Sequence, residues 1–243
     1  MGDSIRIDKL LAGMGYGSRR EIESLADTDR LLMDAKPVLD CSMRVVLDES
    51  LRTRLTVDGE IIDPLPGMVV MLHKPLGVTC SHKESGKLIY DLLPSRWKRR
   101  EPVLSSIGRL DKETSGLLLL TDDGALLHKV ISPKQHIAKC YIATLARPLN
   151  GDEADIFARG TLMLEGEKTP LQPAELEVLS ATSARLVLHE GRYHQVRRMF
   201  AAVGNHVATL HRESVGGLTL PDDVSAGDYR VLSSGEIAKI FAK

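Results

Sequence analysis

The stretch GRLDKETSGLLLLTDDG, residues 108–124, constrains this chain more than any other. Its four consecutive leucines are closed by Asp123-Gly124, a turn signal, and a short apolar run so bounded reads as a strand buried in a core. A second buried strand is expected in MVVMLHKPLG (68–77), stopped by Pro75 and Gly77. At the doorstep of the leucine run stand Arg109 and Asp111, which a core strand does not need.

The rest of the chain supplies the neighbours such strands require. In SIRIDKLLAGMGYGSRREIESLADTDR, Ile7, Leu10 and Leu11 recur at helical spacing, and Ile22 and Leu25 begin another apolar face. Ser18 is placed to cap the second helix, with Glu21 completing a capping box. Short β-like runs follow to residue 62, and DPLPG (63–67) reads as a linker. We place a domain boundary there, giving segments 1–66 and 67–243. Beyond it the pattern predicts a helix in ALLHKVI, a strand in KCYIATLA and a hairpin or neighbouring strands over 174–190. A helix over about 194–203 follows, with Val196, Met199, Phe200 and Val203 on its apolar face and Gly204-Asn205 closing it. Many strands, few helices and no βαβ regularity indicate an α+β fold on a mostly antiparallel sheet.

Composition narrows the function classes. The 243 residues are 43% hydrophobic and 27% charged, as in a soluble globular protein, and the net charge of −1 argues against a strongly basic surface throughout. Charge is unevenly placed: residues 1–66 carry 9 Lys+Arg against 13 Asp+Glu, and the remainder 23 against 20. Basic clusters stand at RWKRR (96–100), GRYHQVRR (191–198) and His211-Arg212. No apolar stretch has membrane-spanning length and the N-terminus lacks a signal-peptide core, so a cytoplasmic protein is expected. The three cysteines are far apart, without a CxxC pair, and are read as reduced thiols.

Known signatures of nucleotide binding and serine hydrolysis are missing: there is no GxxxxGK[ST], GxGxxG or GxSxG. Among the eight histidines, His189/His194 and His206/His211 are five apart, a poor match for one helical face, so no metal is expected. What remains is the opening stretch and GRYHQVRR. Both begin Gly-Arg, and both concentrate polar groups where a loop meets a strand or helix, where sites tend to lie. An aspartate held beside an arginine stays ionised when partly desolvated, and such a carboxylate serves as nucleophile or base without a cofactor.

With these residues assembled, GRLDKETSGLLLLTDDG resembles the signature G-R-L-D-x-x-T-x-G-L-L-L-L-T-x-D-G of the RsuA family of pseudouridine synthases. The resemblance continues through HKPLG (73–77), KCYIATL (139–145) and EGRYHQVRRMFAAVGNHVATLHRESVGGLTL (190–220). The first segment, with IDKLLAGMGYGSRREIE, is similar to the small α/β S4-type RNA-binding domain that precedes the catalytic domain in this family. The resemblance implies a mixed-sheet pseudouridine synthase fold and a cofactor-free isomerase that turns a uridine of ribosomal RNA into pseudouridine. Asp111 matches the catalytic aspartate. Arg109 matches the arginine that helps displace the target base, Tyr141 the tyrosine that packs on the uracil, and Arg197 the basic residue that pairs with the aspartate. Lys9, Arg19, Arg20, Lys74, Arg192, His194 and Arg198 fall in the same motifs as RNA-binding candidates. Cys140 replaces the usual threonine, and Ala35 stands where a turn glycine is common.

The reaction cleaves the bond from ribose to uracil N1 and rebuilds it to C5, after the base has left its stack. Asp111 would assist by attacking the sugar, or by acting on the pyrimidine or a ribose proton; the sequence leaves these routes open. Tyr193-His194 resembles members acting on 16S RNA, whereas large-subunit relatives tend to carry GRNRQVRRM. The expected partner is therefore 16S RNA in an assembling small subunit, met by a monomer with no membrane contact. A large-subunit synthase and an assembly protein with dispensable catalysis are the alternatives.

Overall fold

The computed structural model describes residues 4–242. They fall into two compact units: residues up to 69 together with 93–105 and 121–124, and residues 70–92, 106–120 and 125 onward. The first unit thus takes in two segments from beyond the linker.

In the first unit, β1 (Ser4–Arg6) leads into α1 (Ile7–Gly13) and α2 (Arg19–Asp27), followed by β2 (Leu31–Met33), β3 (Lys36–Pro37) and β4 (Arg44–Val46). Then come α3 (Leu51–Arg54), β5 (Leu55–Val57) and β6 (Glu60–Ile61). The strands form a sheet of order β3-β2-β5-β6 and a separate β1-β4 pair. Ser18 and Glu21 form the expected capping box at α2. Ile7, Leu10, Leu11, Ile22, Leu31 and Leu55 are wholly buried together. Two members of the basic run 96–100 serve structure: Arg96 pairs with Asp63 at 2.6 Å and lies over the Tyr16 ring, and buried Arg100 pairs with buried Asp122 at 2.8 Å. Asp122 also accepts from Gly67 N at 2.8 Å, so the first acid of the TDDG turn is an anchor for the linker.

The second unit is built on one large sheet. Its strands are β7 (Val69–Lys74), β8 (Ser105–Ser106), β9 (Thr114–Thr121), β10 (Lys139–Leu145), β11 (Glu175–Ser180) and β12 (Ser183–Leu188). They are completed by β13 (Val207–Val215), β14 (Leu218–Thr219) and β15 (Tyr229–Val231). The helices are α4 (Gly124–Ile131), α5 (Glu153–Ala158), α6 (Gln195–Ala202) and α7 (Ser234–Lys239). Strand order is β11-β12-β10-β13-β9-β7-β15, with β11–β12–β10–β13 antiparallel and β9 parallel to β13. This is the expected α+β arrangement, a mixed sheet with antiparallel pairing prevailing. Leu117 to Leu120 are each at most 1% exposed. Successive strand side chains point to opposite faces, so both faces of β9 are covered. The hairpin over 174–190 forms as β11–β12, and α6 lays Val196, Met199 and Phe200 onto the sheet core, Phe200 meeting Phe157 edge-on. Val203 packs against the same cluster, and Gly204 follows with φ +80°.

Gly116 explains itself in this frame. Its φ is +109°, and a Cβ there would lie 2.2 Å from the Arg212 carbonyl oxygen, so β9 and β13 approach only because the side chain is missing.

Candidate active site

The loop that ends at β9 carries Asp111. Gly108, at φ +72°, turns the chain, and the Thr114 amide donates to the Asp111 carbonyl at 3.0 Å, closing a tight turn over 111–114. The other carbonyls of that turn are each held from a distant segment. Lys112 O accepts from Gly77 N at 2.9 Å, and Thr114 O from Lys74 Nζ at 2.8 Å. Glu113 O accepts from Arg197 Nη2 at 2.6 Å. The HKPLG and VRR motifs therefore converge on the backbone of the Asp111 turn.

This corrects two expectations. Lys74 is 0% exposed, at the end of a strand buried among apolar neighbours, and its ammonium faces the carbonyls of Pro75, Lys112 and Thr114. It has no surface to offer an RNA phosphate, and burial lowers its pKa. Arg197 does not pair with the Asp111 carboxylate. Its position in the first turn of α6 lets its guanidinium span the carbonyls of Val207, at 2.9 Å, and Glu113. The group that meets the carboxylate is His194, whose Nε2 lies 3.3 Å from Asp111 Oδ1, an ion pair when the imidazole is protonated. The two side chains are 40% and 33% exposed, so the carboxylate is reachable from solvent. His194 sits just before α6 in the left-handed region, φ 50° and ψ 33°.

Arg192 and Arg198 are likewise tied inside the protein rather than presented to phosphate. Arg192 pairs with Glu190 at 3.0 Å and Glu167 at 3.2 Å, and donates to the carbonyls of Thr169 and Pro170. Arg198 pairs with Glu167 at 2.8 Å and donates to the carbonyls of Glu165 and Tyr193. Side-chain hydrogen bonds from these two arginines hold the Glu167 carboxyl below the usual carboxylate range. Glu167 was not singled out from the sequence. It lies 25 and 31 residues before the two arginines it holds, and no local pattern marks it.

Arg109 remains accessible: its ion pair to Glu84 at 3.2 Å joins two well-exposed side chains and holds it weakly. Tyr141 lies half-buried on β10, opposite Leu186 on one side and Arg212 on the other, packed against the core cluster to which α6 contributes Val196, Met199 and Phe200. Arg212 is buried, with Nε donating to Leu117 O at 2.8 Å. Lys139, two residues before Tyr141, has its pKa lowered to about 8 by burial and by the nearby Arg212 charge. The Cys140 thiol is pushed up to about 11 by burial and by Glu213, so it stays protonated and unreactive. Lys9, Arg19 and Arg20 are exposed in the first unit, where Lys9 and Arg19 line a groove of about 420 Å³ with Arg99. Among the described residues no group of three or more His, Cys, Asp or Glu is placed to hold a metal ion, and no helix is long and apolar enough to cross a membrane.

The mixed sheet presents a solvent-reachable aspartate on a backbone-clamped turn, and residues 68–202 match the RNA pseudouridylate synthase family. The chain belongs to that family and is an isomerase. It is 42% identical over 244 residues to ribosomal small subunit pseudouridine synthase A of Escherichia coli (strain K12), covering 97% of this chain and all of that protein. It is 37% identical to Bacillus subtilis (strain 168) YtzG, named an uncharacterized RNA pseudouridine synthase, covering 96% of this chain and 97% of that one. A crystal structure of a pseudouridylate synthase superposes with a TM-score of 0.67 at 36% identity, over 97% of this chain and 99% of that one.

Proposed function

We propose that this enzyme isomerises one uridine of the small-subunit (16S) ribosomal RNA, with Asp111 as the acting carboxylate. The observation that carries the chemistry is the Asp111 turn: two distant segments fix its backbone while the carboxylate stays open to solvent. A fixed backbone places the carboxylate without reorganisation at the moment of reaction, which is where positional catalysis gains its rate. The small-subunit assignment is supported by the names of full-length relatives at about 40% identity and by Tyr193-His194 beside the carboxylate.

In this reading the target base leaves its stack at a cost of about a few kcal/mol. Arg109, exposed at the loop edge, occupies the vacated space or holds the backbone, and Tyr141 packs on the uracil. Asp111 then assists cleavage of the glycosidic bond, and the base rotates to present C5. No cofactor enters, since the net change is neither redox nor hydrolysis. The first unit acts as the S4-type RNA-binding domain through Lys9, Arg19 and Arg20, and the protein works as a cytoplasmic monomer on an assembling subunit. Purified Asp111→Asn protein is expected to lose pseudouridine formation entirely while keeping its fold and RNA affinity; near-normal turnover would overturn the assignment. Pseudouridine mapping in cells lacking the protein is expected to show one missing modification in 16S RNA. A loss confined to the large subunit would overturn the substrate.

A further inference from the structure

Tyr193 is 75% exposed, although a large aromatic ring ordinarily gains by burying its faces. It is not loosely attached. Its ring stacks on the His194 imidazole with centroids 3.9 Å apart and planes inclined by 15°. The backbone that carries it is fastened on both sides: Tyr193 O accepts from Arg198 Nη1 at 3.1 Å, and Arg192 N donates to Gln195 Oε1 at 2.8 Å. Glu167 receives both Arg192 and Arg198, so the strap 190–198 is tied to a third segment by two ion pairs. The Tyr193 hydroxyl makes no hydrogen bond within the described residues. The outcome is a held aromatic ring with one face against His194 and the other open, one ring beyond the group that touches Asp111.

Three bland roles fit poorly. A core residue would not be this exposed, a hydrogen-bonding tyrosine would use its hydroxyl, and a mere spacer would not need an anchored backbone. An open, pre-positioned π-face beside a site that works on RNA suits a nucleobase, because every base has a face to stack and the contact needs no matching hydrogen bonds. The uridine being isomerised must lie at Asp111, so the base on the outer face of Tyr193 belongs to a neighbouring nucleotide. We propose that Tyr193 is the stacking platform for a nucleobase flanking the target uridine, and that it fixes the register in which the strand enters the site. This rests on the RNA-uridine reading of the Asp111 site and adds a specificity-determining residue to it.

The test is steady-state pseudouridine formation by wild type, Tyr193→Phe, Tyr193→Leu and Tyr193→Ala on 16S and 23S RNA transcripts. Tyr193→Phe is expected to behave as wild type. Tyr193→Leu and Tyr193→Ala are expected to raise KM by roughly 5- to 150-fold, the range of one lost base–aromatic stack, with a much smaller effect on kcat. A role confined to holding His194 against Asp111 would lower kcat and leave KM in place, and that result would overturn the proposal. So would equal performance of the Leu and Phe variants. In parallel, 2-aminopurine placed on either side of the converted uridine is expected to be quenched on binding by wild type and Tyr193→Phe, and not by Tyr193→Leu. Should wild type convert a uridine only in 23S RNA, the substrate reading falls, and the same four-way comparison on that RNA still decides the role of Tyr193.

Discussion

Lys74 and Arg197 direct their charges at peptide carbonyls of the Asp111 turn rather than at a carboxylate or phosphate. A cation used in this way sets where an aspartate stands without neutralising it. Replacing Lys74 by Met removes the donor to Thr114 O and leaves buried carbonyls unpaired, at about 1–3 kcal/mol of stability. Lys74→Met protein is expected to show at least a tenfold lower kcat with nearly unchanged RNA affinity, measured by single-turnover kinetics beside filter binding; a phosphate contact would give the reverse split. Ala35 gives a residue-scale prediction in the first unit. Asp34 and Ala35 form the two-residue turn between β2 and β3 with φ of +50° and +60°, a conformation that favours glycine. Ala35→Gly is therefore expected to stabilise the protein by about 1 kcal/mol in urea unfolding, the cost of holding an L-residue left-handed.

At the scale of elements, β9 and β13 depend on one missing side chain. Gly116→Ala places a Cβ 2.2 Å from a backbone oxygen in a conformation that alanine resists, so the parallel pairing at the centre of the sheet must open. Largely insoluble or grossly destabilised protein is expected, read by solubility and near-ultraviolet circular dichroism. The glycine was visible in the sequence, inside an apolar run, but its partner was not, because parallel pairing joins segments about a hundred residues apart. What local pattern determines was legible: the α2 capping box, the β11–β12 hairpin, the α6 face with its glycine stop. At the site the limits have the same origin. Asp111 and its loop stood out because charge beside a core strand is unusual. The roles of Lys74, Arg192, Arg197 and Arg198 did not, since their partners include backbone carbonyls, which leave no mark on the sequence.

At the scale of the whole molecule, buried charge makes stability respond to pH. Burial lowers the Lys139 pKa to about 8 from the ordinary 10.5, so between these values the unfolded chain binds more protons than the folded one. Stability from this residue therefore rises as pH increases through that window. Urea unfolding at pH 8 and pH 10.5 is expected to show wild type gaining on Lys139→Met, whose side chain does not titrate; a gap that is flat or narrows would contradict the assignment. The Asp111 turn has a different whole-chain consequence. Its clamps come from residues 74, 77 and 197, so during synthesis the Glu113 carbonyl waits for a donor until α6 has emerged from the ribosome. Lys74 and Gly77 are made before Asp111, so their clamps on Thr114 O and Lys112 O come early and the Arg197 clamp on Glu113 O is the late one. The turn that carries Asp111 is therefore completed only when the chain has reached Arg197.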